Sequence, residues 1–250
     1  MAVLRSRDNP RLKRWQRLAT DARARRKESR AIIEGPHLLE SWRRHRGEPL
    51  CVLLAESAVE GDPSPDCIVL SDAAMRAITD VRTPQGIAAE VAIPRHDTPL
   101  SEAVACVFLD AIQDAGNVGA ILRSACAFGA LDVVMGPGCA DAWSPKVLRA
   151  AAGAHALLRI RDSGDLGSDI EAFGGRVYWT SPRGGTPLAD ADLAGRAGWI
   201  FGAEGQGVSA ALARRATGAV TIPMPGETES LNVAAAAAIC LYEQARRRQP

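Results

Sequence analysis

The stretch VFLDAIQDAGNVGAILRSACAFGALDVVMG, residues 107–136, decides the fold class of this chain. Its ends, VFLD (107–110) and LDVVMG (131–136), have the length and apolar composition of buried strands. The segment between them, VGAILRSACAFG (118–129), has apolar residues at helical spacing. A helix that joins two strands is typical of a unit whose strands run parallel. We therefore predict an α/β domain built around a parallel sheet.

The same alternation continues to the end of the chain. Its predicted strands are apolar almost throughout, as expected when helices cover both faces of a sheet. These strands are ALLRI (156–160), RVYWTS (176–181), WIFGAE (199–204) and AVTIPM (219–224). The predicted helices are SPKVLRAAAGAH (144–155), a short one before RVYWTS, VSAALARRA (208–216) and LNVAAAAAICLYEQARRR (231–248).

A smaller α/β unit precedes this domain. We predict strands at AIIEG (31–35), LCVLLA (50–55), CIVL (67–70) and GIAAEVAI (86–93). The intervening segments are predicted as the helices PHLLESWRRH (36–45) and SDAAMRAI (71–78) and the turn-rich loop GDPSPD (61–66). IPRHDTPLSEA (93–103) contains two prolines and is the predicted linker. The predicted divisions are a basic N-terminal segment (1–30), a small domain (31–95) and a larger domain (104–250).

The composition excludes several classes of protein. Hydrophobic residues make up 47% and charged residues 24% of 250, which excludes wholesale disorder. No apolar run approaches the roughly 20 residues that span a bilayer, so we expect no membrane segment. The N-terminus has no apolar segment after its charges, so we expect no secretory signal and a cytoplasmic protein. Six scattered cysteines without a CxxC pair are expected to be reduced and to bind no zinc: Cys51, Cys67, Cys106, Cys126, Cys139 and Cys240.

Charge is distributed unevenly along the chain. Residues 1–30 carry a net charge of +8 and the remainder −7, although the whole chain is only +1. A basic segment on an acidic body suggests a polyanionic partner such as RNA. Asn9 and Pro10 begin a predicted basic helix that extends to about Lys27. This helix could equally be a solvated one, and GC-rich coding would also explain why only three of the thirty cations are lysines.

Candidate functional residues follow the predicted strands, because ligands of open parallel sheets bind at the carboxyl ends of the strands. In DAIQDAGNVGAILRSA (110–125), Asn117 precedes the predicted helix and Arg123 lies off its apolar stripe. The alternative is a helix capped by Asn117 with an Arg that merely faces solvent. The apolar stripe itself consists of Val118, Ile121, Leu122, Ala125 and Phe128.

Two further loops contain candidates. IFGAEGQGVS (200–209) places Glu204 among glycines, which let backbone amides approach a ligand closely. It matches neither a Walker A loop nor GxGxxG, and an ordinary strand–turn–helix connection is the alternative. TIPMPGETESLNVAAAAA (221–238) contains Ser230 and Asn232, either of which could simply cap the following helix.

Other chemistries are not indicated. The chain has no GxSxG motif, so acyl transfer by a serine nucleophile is not expected. Its histidines lack metal-ligand spacing, and we expect no metal site; they are His37, His45, His96 and His155.

Taken together and in this order, the three segments resemble the SpoU/TrmH family of the SPOUT methyltransferases, which methylate the ribose 2′-hydroxyl of RNA. The motifs are Asn117-x-Gly119-x-x-x-Arg123-x-Ala125, Gly202-x-Glu204-x-x-Gly207, and IPMPGETESLNVA (222–234) with Ser230 and Asn232. Four other stretches resemble the branch with an N-terminal substrate-binding domain: SRDNPRLKRW (6–15), AIIEGPHLLE (31–40), VRTPQGIAAEV (81–91) and GPGCADAWSPKVLRAAAGA (136–154). One departure is Ala115, where many relatives have proline.

The resemblance implies a deep trefoil knot in the larger domain, a homodimer with the sites near its interface, and S-adenosylmethionine as the methyl donor, with S-adenosylhomocysteine as product and no metal. It implies a cofactor site built from three backbone segments and one strand end. Its residues would be Thr180, Gly202, Ala203, Glu204, Gly205, Gly207, Ile222, Met224, Leu231 and Val233.

The resemblance also implies roles for the candidates. Arg123 would act at the 2′-hydroxyl, as a base or as an orienting and electrostatic group, and Glu204 would hold Arg123 or the substrate side of the pocket. Asn117, Ser230 and Asn232 would orient the ribose and Arg123. Ribosomal RNA is a more expected substrate than transfer RNA, and an RNA-binding assembly factor without turnover is the alternative. Expected RNA contacts are Arg11, Lys13, Arg14, Lys146 and Arg149.

Overall fold

The computed structural model describes residues 3–61, 64, 66–79 and 84–248. Contacts between residues divide the chain into two units: the first contains residues 1–94 and 141–156, and the second contains residues 95–140 and 157–250. Parts of two stretches singled out in the sequence lie outside the described residues, namely 62, 63 and 65 of the GDPSPD loop and 81–83 of VRTPQGIAAEV.

The elements follow the predicted alternation of helices and strands. The helices are α1 (Pro10–Thr20), α2 (Ala22–Glu28), α3 (Pro36–Arg46), α4 (Asp72–Ile78), α5 (Ala115–Ala127), α6 (Pro145–Ala150), α7 (Leu166–Phe173), α8 (Ala210–Ala213) and α9 (Val233–Arg248). The strands are β1 (Arg30–Glu34), β2 (Cys51–Ala55), β3 (Cys67–Leu70), β4 (Ile87–Ala92), β5 (Ala105–Asp110), β6 (Asp132–Met135), β7 (Arg159–Asp162), β8 (Arg176–Thr180), β9 (Thr186–Pro187), β10 (Ala197–Gly202) and β11 (Gly218–Thr221).

The first unit is a four-stranded mixed sheet with the order β1-β4-β2-β3. β4 runs antiparallel to both of its neighbours, and β2 and β3 are parallel. One side of α1 is completely buried in the core of this unit, with Leu12, Trp15 and Leu18 packed beside Leu53 and Met75. Helix α1 is therefore part of the folded unit, as the solvated-helix alternative requires, and it is not a detached arm.

The single basic helix predicted from Pro10 to about Lys27 is wrong in one respect, because the structure has two helices there. Asp21 ends α1 and begins α2 in an extended conformation, with φ −119° and ψ 113°. Its side chain accepts a hydrogen bond from the backbone N–H of Arg23, which is the usual role of an aspartate at a helix start. Sequence periodicity did not reveal this break because the basic pattern continues through it.

Glu90 on β4 is the buried anion that holds α1 to the sheet. Arg14 donates to both of its carboxylate oxygens, at 2.9 and 2.8 Å, and the indole N–H of Trp15 donates at 2.8 Å. Burial by itself raises the pKa of Glu90, but the hydrogen bonds from Arg14 and Trp15 outweigh it and hold the pKa below its ordinary value. Arg14 also donates to Glu28 at 2.5 Å, so its guanidinium is engaged within the fold.

Residues 141–156 belong to the first unit, although the predicted boundary put them in the larger domain. The buried Arg25 side chain holds the start of this segment through Asp141, with its Nη2 2.6 Å from the carboxylate. The predicted helix 144–155 ends early, at Ala150, because Ala152 has φ +48° and Gly153 φ +91°. His155 lies beyond this turn, and complete burial lowers its pKa to about 4.

The second unit contains a seven-stranded parallel sheet with the order β7-β6-β5-β10-β8-β11-β9, which confirms the predicted parallel α/β domain. Among the details that differ from the prediction, β7 begins at Arg159 rather than at 156, and the two-residue edge strand β9 was not predicted. Large apolar side chains fill the core on both faces, among them Phe108, Phe173, Trp199 and Phe201.

Helix α9 is held on the sheet by a buried amide. Gln244 accepts a hydrogen bond from the Trp199 indole at 2.9 Å and donates to the carbonyl of Ala197 at 2.7 Å. Both groups belong to β10, so α9 is fixed relative to this strand, which ends at Gly202 and leads into the glycine-containing loop 203–209. No helix in the described part of the chain is long and apolar enough to cross a membrane.

The buried carboxylate predicts an acid-sensitive first unit. We expect Glu90→Gln to lower the free energy of unfolding by about 2–3 kcal/mol, less than the full cost of breaking a buried pair because Arg14 retains Glu28. Since the pKa of Glu90 is lowered on folding, its contribution is present above the unfolded-state value and is lost as pH falls through the folded-state value. Denaturant titrations from pH 7 to pH 3 should show a smaller loss of stability in the variant.

Glu48→Gln is the control, since Glu48 pairs with Arg43 at the surface and should contribute almost nothing. Identical pH profiles for the unmodified protein and Glu90→Gln would contradict the assignment.

Candidate active site

A cavity of about 920 Å³ lies in the second unit at the carboxyl ends of β8, β10 and β11. Its lining includes all ten residues predicted to bind the cofactor and three of those predicted to be catalytic, namely Ser230, Asn232 and Glu204, which was predicted for both roles. The size is within the usual range for a small-molecule site. Eight lining residues were not singled out from the sequence: Trp179, Ser181, Pro182, Arg183, Gln206, Val208, Glu229 and Ala236.

The loop after β10 turns back sharply on itself. The N–H of Gly207 donates to the carbonyl of Ala203 at 2.8 Å, and Gly205 and Gly207 have φ of +83° and +67°. A Cβ on Gly202 would lie 2.2 Å from the carbonyl carbon of Gly207. Glycine is therefore required at Gly202 for close backbone approach, and at the two later positions for their backbone conformation.

The side chain of Asn117 connects three segments that are distant in the sequence. Its amide donates a hydrogen bond to the carboxylate of Glu204, and its carbonyl oxygen accepts one from Asn232 at 3.0 Å. Asn232 also begins α9, since its side-chain oxygen accepts from the backbone N–H of Ala234 at 2.9 Å. The cap predicted for Asn232 is confirmed, and its amide nitrogen remains available to contact Asn117.

The helix cap predicted as the alternative role of Asn117 is wrong. Helix α5 starts at Ala115, two residues earlier than Asn117, and Asp114 caps it by accepting the N–H of Asn117 at 2.7 Å. The side chain of Asn117 is therefore available for Glu204 and Asn232. The predicted apolar stripe of this helix is buried, with the exception of Phe128, which is half-buried with its ring 5.8 Å from that of Tyr242.

Arg123 projects from the exposed side of α5. Its guanidinium makes no hydrogen bond or ion pair to any of the residues that the structure describes, and neither Arg123 nor Asn117 is among the residues lining the cavity. Ser230 lines the cavity and is exposed. The structure thus brings Asn117, Glu204 and Asn232 into one network and leaves Arg123 and Ser230 outside it.

The five residues predicted to contact RNA are all in the first unit. Arg14 is engaged by Glu90 and Glu28, as described above, and Arg149 is half-buried. Arg11 is exposed with its guanidinium 5.2 Å from the centre of the Trp15 ring. Lys13 and Lys146 are also exposed, and Lys13 pairs with Asp8 at 2.8 Å at the surface.

Comparison with known proteins gives a family assignment. Residues 105–242 match the SpoU rRNA Methylase family, and residues 9–89 match the MRM3-like substrate binding domain. The chain is 36% identical over 247 residues to the 23S rRNA (guanosine(2553)-2′-O)-methyltransferase RlmP of Bacillus subtilis, covering 97% of this chain and 98% of that protein. The chain therefore belongs to the SpoU rRNA methylase family.

Solved structures agree with this assignment. A TrmH-family protein from Porphyromonas gingivalis is 31% identical, with a TM-score of 0.84 over 98% of this chain and all of that one. The SpoU methyltransferase AviRb from Streptomyces viridochromogenes, solved in complex with AdoMet, has a TM-score of 0.86 over 96% of this chain and 98% of its own. At 24% identity the latter shows the likeness of the fold alone.

Among the residues missed by the sequence reasoning, Trp179 and Ser181 had a usable signal. They flank Thr180 at the end of a predicted strand, which is where ligands of such sheets bind. The described residues contain no group of three or more His, Cys, Asp or Glu side chains that could hold a metal ion.

The backbone contact at Gly202 gives a prediction on stability. We expect Gly202→Ala to destabilise the second unit by about 1–3 kcal/mol, because the added methyl group has no room beside the backbone of Gly207. Gly218→Ala is a matched control on β11, where a Cβ would meet nothing within 4 Å. Chemical denaturation of both variants measures the difference, and equal stabilities would contradict the requirement for glycine.

Proposed function

We propose that this protein transfers a methyl group from S-adenosylmethionine to a ribose 2′-hydroxyl of ribosomal RNA. The observation that carries the proposal is the Asn117–Glu204–Asn232 network beside a backbone-lined cavity. The family assignment and the RlmP relative support it, since that relative is named for 2′-O-methylation of a guanosine in 23S rRNA. A guanosine of 23S rRNA is accordingly the first substrate to test.

The residues present fit S-adenosylmethionine. The cavity combines apolar side chains, such as Ile222, Met224 and Leu231, with the exposed backbone of the Gly202 loop. An adenosine moiety needs this combination, because its ring is flat and apolar on both faces and its edge bears hydrogen-bonding groups. When bound, S-adenosylmethionine supplies a methyl group on a positively charged sulfur, which is already electrophilic.

The protein's own contribution is to position the hydroxyl. Asn117 is held by Glu204 and Asn232, so its carboxamide has one orientation and is fixed at the edge of the cavity. A rigid network of this kind reduces the entropy lost when the ribose is aligned with the methyl group. Ser230 lies on the same loop as Asn232 and offers a hydroxyl that can hydrogen-bond to the ribose.

Arg123 is proposed to assist the loss of the hydroxyl proton to solvent water, while the oxygen takes the methyl group and S-adenosylhomocysteine leaves. A guanidinium stays protonated in proteins, so it acts as a cation rather than as a base. Placed beside the ribose or its phosphate, it stabilises the negative charge that develops on the oxygen. Arg123 is exposed and has no partner among the described residues, which leaves it available to the RNA.

The first unit is proposed to bind the RNA. Its match to a substrate binding domain supports this role, as do the exposed cations Arg11, Lys13 and Lys146. Arg14 is excluded from the proposed RNA contacts because Glu90 and Glu28 engage it. Since ribosomal RNA is modified where ribosomes are made, the cytoplasm is the proposed location. The trefoil knot stays a prediction of the family resemblance.

A homodimer is proposed from the outer face of α9. Ala235, Ile239, Tyr242 and Arg246 recur at helical spacing and are all exposed. Ile239 is 39% and Tyr242 55% exposed, and such apolar side chains on one helix face are typical of a subunit interface. The face begins one turn after Asn232, so a partner bound there would lie near the proposed site.

The proposed function is tested by methyl transfer. The purified protein, radiolabelled S-adenosylmethionine and unmodified ribosomal RNA should give label in RNA as alkali-resistant 2′-O-methyl nucleotides, and transfer RNA should remain unlabelled. Label in transfer RNA alone would reassign the substrate. Binding of S-adenosylmethionine and RNA without transfer would support the assembly-factor alternative.

Arg123→Ala should abolish most methyl transfer while the fold and cofactor affinity are retained. The expected loss of kcat/KM is about 100-fold or more, typical of removing one group that stabilises developing charge. Arg214→Ala is the matched control, because Arg214 is exposed in the same unit and lies outside the cavity lining. Normal turnover by folded Arg123→Ala would remove Arg123 from the mechanism.

Ile239→Asp should convert the dimer into a monomer, because a carboxylate at the centre of an apolar interface has no partner. Light scattering of the unmodified protein and the variant at several concentrations measures the mass. Ala211→Asp, at an exposed position of α8, should leave the mass unchanged. A monomeric unmodified protein, or a dimeric Ile239→Asp, would rule out this interface.

A further inference from the structure

The cavity has one cationic side chain in its lining. Among the described residues that line it, Arg183 alone carries a positive charge, and its guanidinium makes no hydrogen bond or ion pair to another described residue. By contrast, Arg196 of the same unit is bound to the carbonyls of Phe173 and Ala103. A guanidinium without a protein partner in a ligand cavity is available for an anionic group of the ligand.

The loop that carries Arg183 is held in place. Ser181 donates its hydroxyl to the carbonyl of Arg183 at 2.6 Å, and its backbone N–H to the carbonyl of Val220 at 2.9 Å. At the other end of the loop, the N–H of Gly185 donates to the hydroxyl of Thr221 at 2.9 Å. The segment that contains Arg183 is thus hydrogen-bonded to β11 on both sides. The Cα atom from which its side chain extends therefore has a fixed position at the cavity.

The strand order separates this loop from the Asn117 network. Asn117 follows β5 and Glu204 follows β10, whereas the Arg183 loop runs from β8 to β9 across the end of β11. Neighbouring strands are about 4.8 Å apart, so the loop starts about 10 Å from β5 and ends about 19 Å from it. The backbone of this loop therefore lies on the side of the cavity away from β5 and Asn117.

We propose that Arg183 binds the carboxylate of the amino-acid tail of S-adenosylmethionine, an inference that rests on the proposed function. The tail is a zwitterion, with an ammonium group beside the carboxylate. Glu229 lines the same cavity and supplies an anion for the ammonium group. An RNA phosphate has no positive charge to match Glu229, so the pair of opposite charges favours the zwitterion.

Two ligands that differ only at the tail test this assignment. S-adenosylhomocysteine contains the amino-acid tail, and 5′-methylthioadenosine has the same adenosine and sulfur without it. In calorimetry with the whole protein, Arg183→Gln should weaken S-adenosylhomocysteine about tenfold or more, as expected for loss of a hydrogen bond between charged groups. The affinity for 5′-methylthioadenosine should be unchanged.

Arg183→Lys should give an intermediate loss, because an ammonium retains the charge but not the paired donors of the guanidinium. Arg214→Gln is the matched control, since it removes an exposed arginine of the same unit outside the cavity, and both affinities should be unchanged.

Four results would overturn the inference. An equal loss for both ligands would mean that Arg183 maintains the shape of the site. Unchanged affinity for S-adenosylhomocysteine with weaker RNA binding would assign Arg183 to an RNA phosphate. If neither ligand binds the unmodified protein, the proposed function fails as well, whereas binding of both with equal affinity overturns only the contact with the tail.

Discussion

The site depends on the side chain of Asn117, because this one carboxamide joins the ends of three elements that are distant in the sequence. It donates to Glu204 after β10 and accepts from Asn232 at the start of α9, while its backbone belongs to the first turn of α5. A carboxamide is suited to this task because it has a donor and an acceptor on one rigid plane. The network therefore fixes the relative positions of loops from residues 114 to 234.

This network also explains why α5 needs a separate cap. If Asn117 capped the helix, its oxygen would be directed at the backbone N–H groups of the first turn and not at Asn232. Asp114 caps the helix instead, three residues earlier, and the side-chain amide of Asn117 is left available for Glu204 and Asn232. In the same way, Asn232 caps α9 with its oxygen alone and keeps its nitrogen for Asn117. The oxygen of Asn232 thus serves the helix and its nitrogen serves the site, so the two roles do not compete.

The parallel sheet and the position of the cavity could be predicted from the sequence, because apolar strands followed by polar or glycine-rich loops have strong local signals. The sequence also indicated the residues at the ends of β8, β10 and β11. The division at residues 141–156 could not be predicted, since an alternation of strand and helix does not say which sheet a helix joins. Helix α6 packs with β1 through contacts that are remote in the sequence.

The net charge of residues 1–30 overestimates the number of cations available to RNA, and the reason is physical. A net charge of +8 in residues 1–30 counts every cation, whereas folding engages Arg14 with Glu90 and Glu28, and Arg25 with Asp141. These acids lie between residues 28 and 141, so the local sequence gives little sign of the pairing. Only exposed cations such as Arg11 and Lys146 contribute to the long-range attraction of RNA.

The chain order of the first unit has a consequence for synthesis on the ribosome. Its first 94 residues emerge before β5, α5 and β6 of the second unit, and its last part, residues 141–156, emerges only after them. Until then Arg25 has no Asp141 to neutralise it, and Trp42 lacks the ring of Trp143, which lies 6.3 Å away in the folded protein. The first unit therefore cannot complete its fold until part of the other unit has been translated. During that time its Arg25 is unpaired and its aromatic core is incomplete.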